Sequence, residues 1–535
     1  MVESTATNTN DANASNADEN IHQVRGSTPK LNVAQLAVLV FYNVSGGPFG
    51  IEPSIRSAGN FYTILGFALL PLVWSLPEAL VTAELGSAFQ CSSGGVIWVQ
   101  TAFGETPGAI AGYFNWISGA TDNAIYPALF LTYLTGDGGN TLAGLKRFFY
   151  TSALSLVLAG LNFLGLEIVG NASVVVCIIA MSPFVAMIVI GAGKIDPSRW
   201  LQLPIQGPDT LETFDDYQKA PGILPLVSHG VFLRPFLNNM FWNLNSYDSA
   251  ASFAEEVADV KTTYPRGIFL GLALCYVLYL LPVLVVTGAT DYDQTDWVDG
   301  HLATAANDIG GDFLSKWTVF AIGISNLALF EAEMSADAYQ LMGMAERGYL
   351  PSFFKKRSKF GTPTAGILTG TLVIVIFSVA DFNQLVELLN ANYAIALLME
   401  FAAFVKLRLG RKDLDRPYRV PISDEASVLL VLPPCLAILL IFAVSSWVTY
   451  LFVFMVFLLS LGLVSIQRIL KERGLFEFEN TGTRTTGDEV NQEDSGGSTG
   501  TSTSTGNDVN NDSIIELVNE KARLILASLG PNEIV

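Results

Sequence analysis

The stretch SGGPFGIEPS, residues 45–54, interrupts an apolar run that begins near residue 32. Gly46, Gly47 and Gly50 admit backbone dihedrals that other residues avoid, and Pro48 has no N–H to give to a helix. Glu52 then places a carboxylate where a membrane would put hydrocarbon. Backbone leaves the helix at bilayer depth only where protein buries it or a water-filled cavity receives it. The stretch therefore predicts either a simple kink or a broken helix beside a cavity.

A second interruption decides between them. In FWNLNSYDSA, residues 241–250, Asn243, Asn245, Ser246 and Asp248 cluster inside another apolar run. Between and beyond the two breaks, apolar runs long enough to cross a bilayer recur at 32–56, 61–87, 107–134, 148–166, 170–193, 225–255, 264–288, 313–345, 364–380, 382–407, 425–444 and 446–468. The breaks fall in the first and sixth of these twelve, at matching places of two five-span halves of opposite topology. That spacing predicts an inverted-repeat secondary transporter.

Composition agrees with an all-α membrane protein: of 535 residues, 50% are hydrophobic and only 15% charged. The net charge of −20 lies largely in tails and loops. With both termini in the cytoplasm, inner segments hold more than twice the Lys and Arg of outer ones, with concentrations at Lys355–Lys359 and Lys406–Arg419. Residues 1–30 lack the pattern of a signal peptide and read as a disordered cytoplasmic tail, which leaves the first span as the targeting element. The transporter domain is expected over 31–470. Residues 471–535 read as a cytoplasmic tail rich in Ser, Thr and Gly. Its end, DSIIELVNEKARLILASLG, has helical periodicity and fits a regulatory helix, a membrane-surface helix or a plain tail helix. Cys91, Cys177, Cys275 and Cys435 suggest no disulfide framework. Three His without ligand spacing, no nucleophile triad and no phosphate loop argue against an enzyme, a metal site or an ATP-driven pump. Nothing points to nucleic acid.

An amino-acid carrier of this architecture needs free N–H groups at a half-helix start to hold the substrate carboxylate. Pro48 and Glu52 spoil that site for an anion and suit an ammonium group. Gly46, Gly47 and Phe49 at the break are expected beside the substrate, with carbonyls within its reach. Asp122 and Tyr126, four residues apart in the third span, share a helix face and would hold a cation or make a structural hydrogen bond. Glu400 in the tenth span is either a second cation site or a helix-packing group. Asp248 binds substrate or caps the second half-helix. Trp242 and Tyr247, with Asn245 between them, offer cation–π faces or pack the core. Glu78, Glu84, Glu331 and Glu333 are further intramembrane acids. Glu331 is a candidate for coupling. The loop TGATDYDQTDWVDGHLATAANDIGGD, with six Asp, either gathers cations at an entrance or is simply solvated.

The segments VSGGPFGIEPSI, GAIAGYFNWISGATDNAIYPALFLTYL, FWNLNSYDSAASFAEEVADVKTTYPRGI, EMSADAYQLMGMAERGYLP, LLMEFAAFVKLRL and RPYRVPI together resemble the polyamine uptake branch of the amino acid, polyamine and organocation superfamily, over residues 30–470. The resemblance implies a LeuT-type 5+5 inverted repeat with broken helices 1 and 6, plasma-membrane or internal-membrane residence, and proton-coupled uptake of a small cation of the putrescine and spermidine class. It also makes Glu84 a structural or gating acid. Where the branch reads Asn-Leu-Asn-Tyr-Trp-Asp, this chain has Ser246 and Tyr247 before Asp248, which alters the surface that would read polyamine length. No cofactor is expected beyond the coupling ion. Because the fifth span has no Lys before Lys194, sodium coupling and exchange stand beside proton symport. The loop TGDGGNTLAGLKR has no Cys, so no disulfide-linked partner chain is expected. Neutral or basic amino-acid transport and a nutrient receptor built on the same fold remain as rival readings.

Overall fold

The structure, a computed structural model, describes residues 30–135, 145–204, 223–224, 227–298, 300–378 and 382–478. Residues 1–29 of the N-terminal tail, 136–144 of the loop from which no disulfide-linked partner is expected, and 479–535 of the distal tail, where a terminal helix is expected, lie outside the described residues. Fifteen α-helices carry the fold among them. Seven helical stretches are long and apolar enough to cross a membrane.

Helix α1 (Val33–Val44) starts on a capping box: Asn32 Oδ1 accepts from the N–H groups of Ala34 (2.9 Å) and Gln35 (3.0 Å), and Gln35 Oε1 accepts from the N–H of Asn32 (2.9 Å). After the first break, α2 (Glu52–Leu70) turns sharply at Gly59, whose φ of 69° and ψ of 179° are not helical. The chain continues through a π-turn (Pro71–Ser75) into α3 (Leu76–Ala88). A short helix, α4 (Gly95–Phe103), precedes α5 (Glu105–Asn123) and α6 (Ile125–Thr135). Next come α7 (Leu145–Asn162), α8 (Leu166–Gly191), α9 (Leu233–Leu244), α10 (Thr263–Ala289), α11 (His301–Glu346), α12 (Thr364–Phe377), α13 (Phe382–Gly410), α14 (Ala426–Val444) and α15 (Trp447–Glu472). Like α2, α11 is broken by one glycine, Gly311, with φ 82° and ψ 179°.

Three local expectations need correction. Residues 227–232 are not the start of a spanning helix but a two-stranded hairpin, β1 (Val227–Ser228) and β2 (Val231–Phe232). His229 (φ 52°) and Gly230 (φ 80°) turn it with the positive dihedrals that tight hairpins require. The segment after the second break is a 3₁₀ helix (Tyr247–Glu256) rather than an α-helix. The third run is interrupted at Ala124, so Asp122 and Tyr126 stand on successive helices, although their side chains still meet.

Packing places the broken segments at the centre. Helix α1 lies along α10 and α8, α11 runs against α8, α6 and α5, and α13 runs against α5 and α4. The periphery is apolar. Ile178 and Val189 of α8, Leu372 of α12 and Leu429 of α14 are each more than 60% exposed. A water-soluble protein does not present such a surface, whereas hydrocarbon accepts it.

One end of the bundle is held by buried charge. Glu84, fully buried on α3, sits 3.0 Å from both Arg408 Nε and Arg416 Nε, and its Oε2 accepts from the N–H of Val420 at 2.9 Å. Arg408 also meets Asp424 (3.1 Å) and donates to the carbonyl of Val420 (2.7 Å). The α13–α14 loop is thereby strapped to the end of α3. Glu84→Gln leaves two guanidinium groups without their shared anion, so unfolding should become easier by about 3–5 kcal/mol. A thermal denaturation series on purified protein in detergent checks this, and an unchanged midpoint would contradict it.

Candidate functional site

Helix α1 makes its last turn bond at the N–H of Ser45, which donates to the carbonyl of Phe41 at 2.7 Å. Gly47 (φ 124°) and Gly50 (φ 78°) then redirect the chain through dihedrals open to glycine. The carbonyls released by this break are taken up by protein side chains. Ser325 of α11 donates to the Gly46 carbonyl, while Asn239 (2.8 Å) and Asn243 (3.3 Å) of α9 donate to that of Gly50. Gly46 lies against Leu329 and Phe49, and Gly47 against Met181. Glu52 is buried, and its Oε1 accepts from the N–H of Leu302 near the start of α11 at 3.4 Å.

At the second break, Asn245 is extended and Ser246 adopts a left-handed φ of 76°. Ser246 gives the following 3₁₀ helix no side-chain cap. Glu78 of α3 supplies it instead: its Oε1 accepts from the N–H groups of Tyr247 (2.5 Å) and Asp248 (3.4 Å), and from the hydroxyl of Tyr393 (2.8 Å). Asp248 is expected either to bind substrate or to cap this half-helix, and backbone N–H groups of Ser249 and Asp248 lie against its carboxylate. Its carboxylate accepts from Tyr393 and from Asn115 Nδ2 (3.0 Å). The positive end of this half-helix is therefore occupied by one of the protein's own carboxylates.

Beside the second break lies a cavity of ≈ 20 Å³, room for about one water molecule. Its walls include Asp122 of α5 and Glu333 and Asp337 of α11, and across from these acids Asn115, Ser246 and Tyr393. Asp122 is 6% exposed, and Glu333 and Asp337 are 7% exposed. Asp122 Oδ1 accepts from Trp242 Nε1 at 3.0 Å, and both Tyr126 and Glu333 lie against its carboxyl. Asp337 occupies a notch made by the absence of a side chain at Gly119, where a Cβ would collide with the carboxyl. Glu333 Oε2 is buried with no hydrogen-bond partner. No Lys or Arg is among the residues lining the cavity. At about 4 Å, two like charges near a protein surface repel by roughly 4 kcal/mol. This cluster is balanced only by protons or by a cation from outside.

Of the residues singled out from sequence, Asp122 and Asn245 line the cavity, and Trp242 and Tyr126 back Asp122. Asp248 and Glu400 form a second acidic group with Glu78 behind Tyr393. Glu400 packs where a Cβ on Gly95 would collide with its carboxylate. Gly46, Gly47, Phe49 and Glu52 are not among the lining residues, and Tyr247 is buried beside Cys275 and Tyr279. Glu331 turns away toward α7, where Asn162 Nδ2 donates to its Oε2 at 3.0 Å. Glu84 belongs to the loop strap. Sequence reasoning passed over Glu333 as a site residue, and missed Asp337, Tyr393 and Asn115. The four-residue spacing of Glu333 and Asp337 in an apolar run was the available signal, since it puts both on one face.

Residues 31–458 match the family model described as amino acid permease. The chain is 40% identical over 458 residues to a probable polyamine transporter of Arabidopsis thaliana, covering 85% of this chain and 91% of that protein. It is 39% identical over 445 residues to polyamine transporter PUT1 of Oryza sativa subsp. japonica, covering 83% and 78%. It is 38% identical over 452 residues to polyamine transporter RMV1 of Arabidopsis thaliana, covering 84% and 88%. A match running from α1 into α15, both breaks included, shows that this chain is a membrane transporter, not an enzyme, and belongs to the amino acid permease family of the amino acid, polyamine and organocation superfamily.

Proposed function

We propose that the protein imports polyamines of the putrescine and spermidine class by proton symport with alternating access. The observation that carries this reading is the set of three buried carboxylates, Asp122, Glu333 and Asp337, around one cavity with no basic side chain among its lining residues. An ammonium group is the ligand that such a set lacks. Glu78 adds a second argument, because it fills the half-helix start at which an amino-acid substrate would put its carboxylate. The names of the relatives agree with both arguments.

The architecture proposed is a LeuT-type 5+5 repeat of twelve crossings. Helix α1 with the start of α2 forms the first, broken crossing, and the chain from Gly59 through α3 the second. Helices α5 and α6 together make the third, and α7 and α8 the fourth and fifth. The second break divides the sixth, formed by α9 and the 3₁₀ helix. Helix α10, α11 beyond Gly311, and α12 to α15 complete the set. Both termini face the cytoplasm of a plasma-membrane protein. The cavity has room for about one water molecule, so a diamine enters only when the α1/α9 bundle rocks away from α5, α11 and α13.

Neutralising Asp122 or Asp337 with Asn should reduce uptake of radiolabelled putrescine by about tenfold or more at equal surface expression, as loss of a buried charge partner does. Glu331→Gln should stay within about twofold, since that side chain faces α7 and a lone substitution away from a site has small effects. Equal losses in all three variants would remove the cavity from the account. In proteoliposomes with an imposed proton gradient, spermidine and putrescine should compete for uptake while leucine and arginine do not. Import of leucine in place of diamines would overturn the substrate assignment.

A further inference from the structure

Behind the cavity, the Tyr393 hydroxyl stands between two carboxylates. It lies 2.8 Å from Glu78 Oε1 and in hydrogen-bonding contact with Asp248 Oδ1. Its oxygen also accepts from the N–H of Ser246 at 3.1 Å. A hydroxyl carries one proton, so it satisfies one of the two acids. Glu78 Oε1 has two backbone donors as well, and is well placed to hold negative charge. Asp248 Oδ2 accepts from Asn115, and its Oδ1 competes with Glu78 Oε1 for the single Tyr393 proton, so whenever that proton is directed to Glu78 the Asp248 Oδ1 faces a bare oxygen.

One more proton completes the arrangement. Placed on Asp248 Oδ1, it donates to the Tyr393 oxygen. Tyr393 in turn donates to Glu78 Oε1, so two protons join the three facing oxygens, while Glu78 Oε2 stays buried without a hydrogen-bond partner. We infer that Glu78, Tyr393 and Asp248 form a one-proton binding site, distinct from the cation cavity and joined to it through Asn115, Ser246 and Tyr393, which belong to both. Charge balance supports the count. The titratable groups facing this site are Glu400 of α13, Tyr264, Cys275 and Tyr279 of α10, Tyr247 of the 3₁₀ helix, and Cys91 beyond α3, and none is Lys or Arg. Glu400 Oε2 is itself buried without a hydrogen-bond partner. Full ionisation of Glu78 and Asp248 beside Glu400 would crowd three negative charges into a buried site.

The site deepens the proposed transport reading by naming where the coupling proton resides. It binds outside, is carried with the amine, and leaves Asp248 as a carboxylate on the other side. That departure removes the proton Asp248 gives to the Tyr393 oxygen and leaves Asp248 and Glu78 sharing the single Tyr393 proton in the cavity wall.

The test uses purified full-length protein without substrate. Difference infrared spectroscopy across a pH titration should show the C=O band of a protonated carboxyl that disappears in Asp248→Asn and is displaced in Tyr393→Phe. In proteoliposomes, the ratio of gradient-driven putrescine accumulation to putrescine exchange should fall by about tenfold in Asp248→Asn, the size of an ordinary coupling between two sites. A wild-type spectrum in Asp248→Asn, or an unaltered ratio, overturns the inference. If the wild type moves no polyamine yet shows the band and loses it on substitution, the substrate assignment fails and the proton site stands.

Discussion

A carboxylate removed from water must be answered by a counter-charge, by hydrogen-bond donors or by a proton, and the way each acid of this bundle is answered sorts scaffold from site. Glu84 is answered by Arg408 and Arg416. Glu387, beside Arg234 at 3.9 Å, accepts from the N–H of Ser446 and the hydroxyl of Thr449, tying α13 to α15. Glu256, after the second break, meets Arg357 at 2.7 Å. These acids close helix ends and loops. Asp122 and Asp337 have neutral donors, Trp242 and Asn123, but no Lys or Arg is among the residues lining the cavity that these two acids share with Glu333. The proposed selectivity of the centre of the molecule for cations rests on that arrangement.

The broken helices follow from the same requirement applied to backbone. Where α1 and α9 stop, carbonyl and N–H groups lose their helical partners inside an apolar bundle. Ser325, Asn239 and Asn243 answer the carbonyls of the first break, and Glu78 answers the N–H groups of the second. The first break is thereby fixed by short polar side chains. The second is fixed by an ionisable one, and a cap that titrates is a natural point at which proton binding meets helix movement.

Much of the architecture was readable from residue order because membrane helices announce themselves. Gly46, Gly47, Pro48 and Gly50 interrupt an apolar helix in a way that alone fits a kink or a break, and the polar cluster from Asn243 to Asp248 at the matching place of the second half favours the break. Asp122 was readable as an acid deep in a span, and it lines the cavity. Tertiary choices were not legible in the same way. Glu331 and Glu333 are two residues apart, so they point to different sides of α11, and nothing local says which side faces the centre. Glu52 looked free to meet a ligand, but its partner is an N–H of Leu302, 250 residues away along the chain. Glu78 reads as one more buried acid until the half-helix it caps is placed beside it. The hairpin at 227–232 was hidden in an apolar run because periodicity alone does not separate short strands from helix starts.

The central claim is that Asp122, Glu333 and Asp337 receive an ammonium group. A structure determined with spermidine bound tests it most directly. The account predicts one terminal nitrogen within hydrogen-bonding distance of at least two of these three carboxylates, inside the cavity that they line. An amine seated at Gly46 to Glu52, with the three acids still facing only one another, would contradict it.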